Sequence, residues 1–231
     1  MTRHLLLLLL ALSTPLSAAP LPRSFTIGSF DRIRVEGPYQ VTVNSGRAPF
    51  ARAEGPTAAI EAMDLRLEGR TLLIRQRGGM ANASLGTPVR LTVGTHELRS
   101  VSLAGAGSLV VDRLKGLSAD VALLGPGKLQ VRGIEADRLT AGVQGSGSLR
   151  LTGRAKVAVL TALGTPTLAA EDLVGDELTV RAEGSGEVAA AARSRASVTA
   201  AGIVQVRLTG RPACVLKLRG SASVEGCGPT R

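Results

Sequence analysis

One unit recurs along most of this 231-residue chain. Gly105-Ala106-Gly107, Gly125-Pro126-Gly127, Gly145-Ser146-Gly147 and Gly184-Ser185-Gly186 stand at multiples of about 20 residues. Degenerate copies at Gly164, Gly202 and Gly220 bring the number to seven. A period this short leaves no room for a helix in each copy. It predicts a chain that coils into stacked turns.

The residues around each corner keep phase. Four positions after the first glycine lie Leu109, Leu129, Leu149, Leu168, Val188, Val206 and Val224. Two positions before it lie Leu103, Leu123, Val143, Ala162, Ala182, Ala200 and Leu218, and two before those Val101, Val121, Ala141, Leu160, Val180, Val198 and Leu216. Position three after the glycine is polar throughout (Ser108, Lys128, Ser148, Thr167, Glu187, Gln205, Ser223). Each copy thus reads as two runs of period-2 alternation separated by a glycine corner. One turn cannot bury its apolar side alone. Stacked at about 4.8 Å, equivalent strands pair in parallel and their aliphatic side chains share one core.

The expected fold is all-β: a right-handed parallel β-helix of about seven turns, each of about 20 residues. The alternative is an antiparallel meander or sandwich. The helix occupies residues 101–226. Residues 24–100 form a β-rich N-terminal part. There Ile33 and Val35, Val41 and Val43, Leu65 and Leu67, and Leu72 and Ile74 read as strand pairs, with Glu68-Gly69-Arg70 as a hairpin turn. Pro56 to Met63 is predicted to form one short helix, and Gly78 to Gly86 reads as a loop. The N-terminal part is expected to cover one end of the helix and the Cys214–Cys227 region the other, because open sheet edges invite pairing.

Residues 1–19 read as a signal peptide, with Arg3 ahead of an apolar run, Leu5 to Leu10, and small residues at Ser17-Ala18-Ala19. The apolar run is too short for a stable membrane span. The mature chain is therefore expected to be exported, periplasmic or extracellular, with no transmembrane anchor. In an oxidising compartment Cys214 and Cys227 are a candidate disulfide closing the last turn, worth ~3 kcal/mol on the loop-entropy account. Two free buried thiols are the alternative.

The chain carries 28 Lys and Arg against 18 Asp and Glu, a formal charge of +10. That balance admits acidic partners, envelope or surface glycans among them, but it also describes a solvated face. Nucleic acid is not expected, since the aromatic platforms that stack bases are missing.

The Gly-x-Gly units are not a phosphate cradle. No third glycine, no following helix and no Gly-x-x-x-x-Gly-Lys-Ser/Thr accompanies them. Gly105, Gly107, Gly125, Gly127, Gly145, Gly147, Gly164, Gly184, Gly186, Gly202 and Gly220 are read as structural corners. The aspartates of calcium-binding rolls are lacking, and two Cys with one His in the mature chain make a zinc site improbable. No cofactor, metal or catalytic residue is assigned. His96, in Gly94-Thr95-His96-Glu97, is most simply a polar turn. A polysaccharide lyase or hydrolase would need acids clustered on neighbouring turns. Asp112 shares a phase with Glu171, and Asp137 with Asp176, but each pair lies two or more turns apart. Phe25, Phe30, Tyr39 and Phe50 all precede the repeat.

Phe30-Asp31-Arg32-Ile33-Arg34-Val35-Glu36-Gly37, then Val41-Thr42-Val43, then Leu72-Leu73-Ile74, open the chain, and the Gly-Ser-Gly ladder follows. Over residues 25–226 this resembles the bacterial GIN-domain family, the head domains of putative auto-transporter adhesins. Gly164-Thr165-Pro166, Gly202-Ile203-Val204 and Gly220-Ser221-Ala222 depart from its pattern. The resemblance implies an exported β-helical domain of the cell envelope with an adhesive or binding role, and brings no catalytic residues with it. The function expected is non-catalytic binding or structure at the envelope. A glycan-active enzyme and a ligand-free periplasmic scaffold are the alternatives.

Overall fold

The computed structural model describes residues 22–78 and 88–228. The expected signal peptide (1–19) and nearly all of the expected loop at 78–86 lie outside these. The strands run in chain order β1 (Arg23–Phe25), β2 (Arg32–Glu36), β3 (Gln40–Ser45), β4 (Phe50–Glu54), then the helix α1 (Thr57–Glu61), β5 (Met63–Glu68), β6 (Thr71–Gln76), β7 (Arg90–Thr95), β8 (Ser100–Ala104) and β9 (Ser108–Val111). They continue with β10 (Leu114–Leu124), β11 (Lys128–Gly145), β12 (Ser148–Gly164), β13 (Thr167–Ala170), β14 (Leu173–Gly184), β15 (Glu187–Ala191), β16 (Arg195–Gly202), β17 (Gln205–Thr209), β18 (Ala213–Gly220) and β19 (Ser223–Glu225).

The repeat builds a stacked parallel β-solenoid of about six turns, close to the seven expected from counting corners. The phase columns become ladders. On the face before the corner Val101, Val121, Ala141, Leu160, Val180, Val198 and Leu216 pair in register from turn to turn. On the face after it Leu109, Leu129, Leu149, Leu168, Val188, Val206 and Val224 do the same. The members of both columns down to Val198 and Val206 are buried in one continuous core. The step from Gly145 to Gly164 is one residue shorter than the step before it. A register shift between Val131 and Ile134 absorbs the difference.

The corner shows why glycine recurs there. Gly145 has φ +114°, and a Cβ on Gly147 would sit 2.7 Å from the carbonyl oxygens of Gly125 and Gly127. One glycine supplies a left-handed backbone and the next allows the adjacent turn to approach.

Two features go beyond the alternating runs. First, each early turn has a third face, formed by residues 114–118, 134–138, 153–157 and 173–177, which pair in parallel ladders of their own. Second, the earliest corner is Gly37, whose backbone N–H donates to the carbonyl of Ala104. Around it Ile33, Val35, Val41 and Val43 stack on Val101, Leu103, Leu109 and Val111.

This first layer, β2–β3, is enclosed. It pairs with β8 and β9 on one side and, also in parallel, with β6 and β7 on the other. The chain leaves β3, runs to the end of the stack, builds β6 and β7, and steps past its own first layer to start β8. Antiparallel β5 covers β6, β4 covers β7 and β1 covers β4. The β5–β6 hairpin turns where Glu68-Gly69-Arg70 was expected to turn. The predicted helix forms as α1, with Pro56 at its N-cap position, and Ile60 and Met63 are buried at this end.

The opposite end is different. The Cys214–Cys227 region was expected to cover it and does not. Cys214 and Cys227 are joined in a disulfide with a Cα–Cα distance of 5.7 Å. That bond ties the chain beyond β19 to β18 without laying an element across the core. Leu216 and Leu218 occupy inward columns, yet they are 43% and 42% exposed because no further turn among the described residues stacks on them.

Candidate binding groove on the third face

The third face carries a shallow groove of about 560 Å³. A second depression of about 780 Å³ continues it toward the N-terminal end, and the two share Lys115, Gly116 and Leu117. Gly116, Ala136 and Ala155 are successive rungs of one parallel ladder, and their lack of bulk leaves room between two charged columns.

Those columns alternate in sign. On one side Lys115 pairs with Glu135, Nζ to Oε2 3.6 Å, and Arg154 follows Glu135 on the next turn. On the other, Lys156 Nζ stands 2.8 Å from Asp137 Oδ1. Asp176 lies one turn beyond Lys156 and meets Arg193 Nη1 at 3.8 Å. A third column pairs Arg195 with Glu177 at 3.3 Å. The hydrogen bond and charge of Asp137, with the further charge of Asp176, raise the Lys156 pKa above its ordinary value of 10.5. These side chains are about half to three-quarters exposed, so each pair alone contributes little to stability. Together they make a patterned polar strip.

The acids singled out by phase are thereby placed. Asp137 and Asp176 are separated by Lys156 on the intervening turn, so a base stands between the two carboxylates. Asp112 accepts a hydrogen bond from the Ser45 backbone N–H at 2.8 Å and holds a corner of the first layer. Glu171 is exposed in the turn between β13 and β14. His96 is exposed in the turn after β7, where its carbonyl accepts from the Gly46 N–H. Among the described residues no three His, Cys, Asp or Glu side chains gather as metal ligands. No helix among them is long and apolar enough to cross a membrane.

The family of the putative auto-transporter adhesin, head GIN domain, matches residues 29–212. The chain belongs to the GIN-domain family. Among curated proteins none matches the sequence. Solved structures share the fold. A putative adhesin from Bacteroides fragilis aligns with TM-score 0.75 and 16% identity, covering 90% of this chain and 96% of that one. A putative lipid binding protein from Parabacteroides distasonis aligns with TM-score 0.71 and 19% identity, again over 90% and 96%. A putative adhesin from Parabacteroides merdae aligns with TM-score 0.68 and 18% identity over the same shares. Identities this low carry the GIN fold between these proteins and not the ligand.

Proposed function

We propose that this GIN-domain protein is exported to the cell envelope and binds an extended polar ligand, a surface glycan, along the third-face groove without chemically altering it. One observation carries the reading. Each carboxylate lining the 560 Å³ part of the groove is paired with a base of the neighbouring turn, Glu135 with Lys115, Asp137 with Lys156 and Asp176 with Arg193. Glycoside cleavage needs two carboxyl groups facing one bond, one protonated and one ionised. Interleaved bases oppose that arrangement. They suit a surface that donates and accepts hydrogen bonds at the spacing of the turns. Export is supported by the signal-like N-terminus, by a disulfide and by membership of an adhesin family.

The test is binding of the purified protein to a panel of envelope glycans and to whole cells. The Lys115→Glu/Arg154→Glu variant serves as the groove control. Saturable binding that this variant loses, with its circular dichroism unchanged, is the expected result. Turnover of any glycan would replace the reading with an enzymatic one. Absence of binding to every surface would leave a structural scaffold.

A further inference from the structure

The second depression, of about 780 Å³, is built differently from the groove it continues. Two of its bases, Arg32 and Arg99, meet one carboxylate among the described residues, that of the buried Asp31. Their Nε atoms stand 4.0 and 3.2 Å from it. A carboxylate at Nε leaves the terminal Nη1–Nη2 edge of a guanidinium open, and that edge is a two-pronged donor for an oxyanion. Asp31 is itself fixed by Arg70 at 3.0 Å, so Arg99 is anchored on the wall of the depression before any ligand arrives.

Glu97 and Asp120 line the same depression and enter no ion pair among the described residues. Arg32, Ser100 and Asp120 are successive rungs of one ladder. The short Ser100 therefore separates base from acid by two rungs, about 10 Å. Leu117, common to both depressions, is 79% exposed. Three chemistries thus meet in one place: open forks for an oxyanion, free carboxylates that accept from hydroxyls, and aliphatic surface for C–H groups. A sugar ester carries all three. An acidic peptide or an anionic bilayer would set further negative charges against Glu97 and Asp120. We infer that the second depression is a subsite for a sugar bearing a phosphate or sulfate ester. The oxyanion lies on Arg32 and Arg99, the hydroxyls on Glu97 and Asp120, and the C–H face of the ring on Leu117. This rests on the glycan reading of the groove and names one unit of that ligand.

The probes are glucose 6-phosphate, glucose 6-sulfate, glucose and inorganic phosphate, titrated into the intact protein and followed by NMR at the Arg99 Nε–H and the Leu117 methyls. The esters should bind saturably, shift both signals, and bind roughly tenfold more tightly than glucose. Arg32→Gln/Arg99→Gln should remove that preference with circular dichroism unchanged. Leu117→Ser, at a side chain already in solvent, should weaken the esters and leave inorganic phosphate unmoved. Inorganic phosphate bound as tightly as the esters would overturn the inference in favour of a bare anion site. Tighter binding of an acidic peptide or of anionic vesicles would replace it with a protein or membrane surface. A neutral glycan held by the groove with no preference for an ester would overturn this inference alone. No binding of any glycan, neutral or esterified, would overturn it together with the groove reading.

Discussion

Arg70 Nη2 stands 3.0 Å from the carboxylate of Asp31, whose side chain is only 5% exposed. Arg99 Nε reaches the same carboxylate oxygen at 3.2 Å. Asp31 precedes β2, Arg70 precedes β6 and Arg99 precedes β8. One acid in the enclosed first layer is thus held by a base from the layer on each side. Backbone bonds follow the same path, from Asp31 N–H to the Arg70 carbonyl and from Arg99 N–H to the Asp31 carbonyl. The Phe30-Asp31 opening therefore locks a layer that the later chain must build around.

Removing the bases should hurt more than neutralising the acid. Arg70→Ala with Arg99→Ala leaves a buried carboxylate with only Arg32, whose Nε stands 4.0 Å from its other oxygen, and should cost about 3 kcal/mol. Asp31→Asn frees the guanidinium groups of Arg70 and Arg99, already about half exposed or more, which water rehydrates, and should cost about 1–2 kcal/mol. Urea unfolding followed by circular dichroism ranks the variants. Equal losses would show that the carboxylate is not the element that needs compensation.

The corners predict a contrast between two glycines. Gly147→Ala drives a Cβ to 2.7 Å from two carbonyl oxygens of the preceding turn. The turns must part, with a loss of about 2–3 kcal/mol and weaker pairing on both sides. Gly46 has φ +77° but nothing within 4 Å of an added Cβ. Gly46→Ala should therefore cost only the backbone preference, about 1 kcal/mol. Thermal unfolding of the two variants separates close approach from conformational freedom.

Much of this was legible because a solenoid stacks equivalent residues in register, so that a sequence phase such as Leu109, Leu129 and Leu149 is also a spatial ladder. Gly37 carries the same signal, with Val35 two residues before it and Val41 four after. Its membership of the repeat is hidden because β4 to β7 interrupt the period between it and Gly105. The third face gave no strand pattern: Leu114-Lys115-Gly116-Leu117-Ser118 mixes apolar, charged and small residues without a clean alternation. The groove was hidden for a related reason. Repeat phase relates its acids to one another, whereas the chemistry lies in the Lys156 between Asp137 and Asp176. The exposure of Leu216 and Leu218 was not legible at all, since both obey their columns.

The ladder beside the groove has a pH signature. The Lys156 pKa is raised in the folded protein, first by the hydrogen bond it donates to Asp137, then by the charges of Asp137 and Asp176. A lysine raised in this way contributes its stabilisation fully below its unfolded value and loses it as pH climbs through the folded value. The effect therefore belongs to strongly alkaline pH and leaves neutral stability untouched. The Lys156 Nζ titration, followed by NMR, should have its midpoint above 10.5 and fall toward that value in Asp137→Asn. An unchanged midpoint in that variant would remove Asp137 as the cause.

Reducing the disulfide should act locally. Cys214 lies on β18, which pairs on one side only, and Cys227 follows β19, which does likewise. The bond closes a short loop within the last turn, and its loss should release about 3 kcal/mol of restraint on the unfolded form of that turn. In a stack where each turn contacts only its neighbours, such a loss frays the end before it reaches the middle. Hydrogen exchange after reduction should rise in residues 213–226 and stay constant in β10 to β14. A uniform rise along the stack would show that the last turn holds the whole solenoid and not only itself.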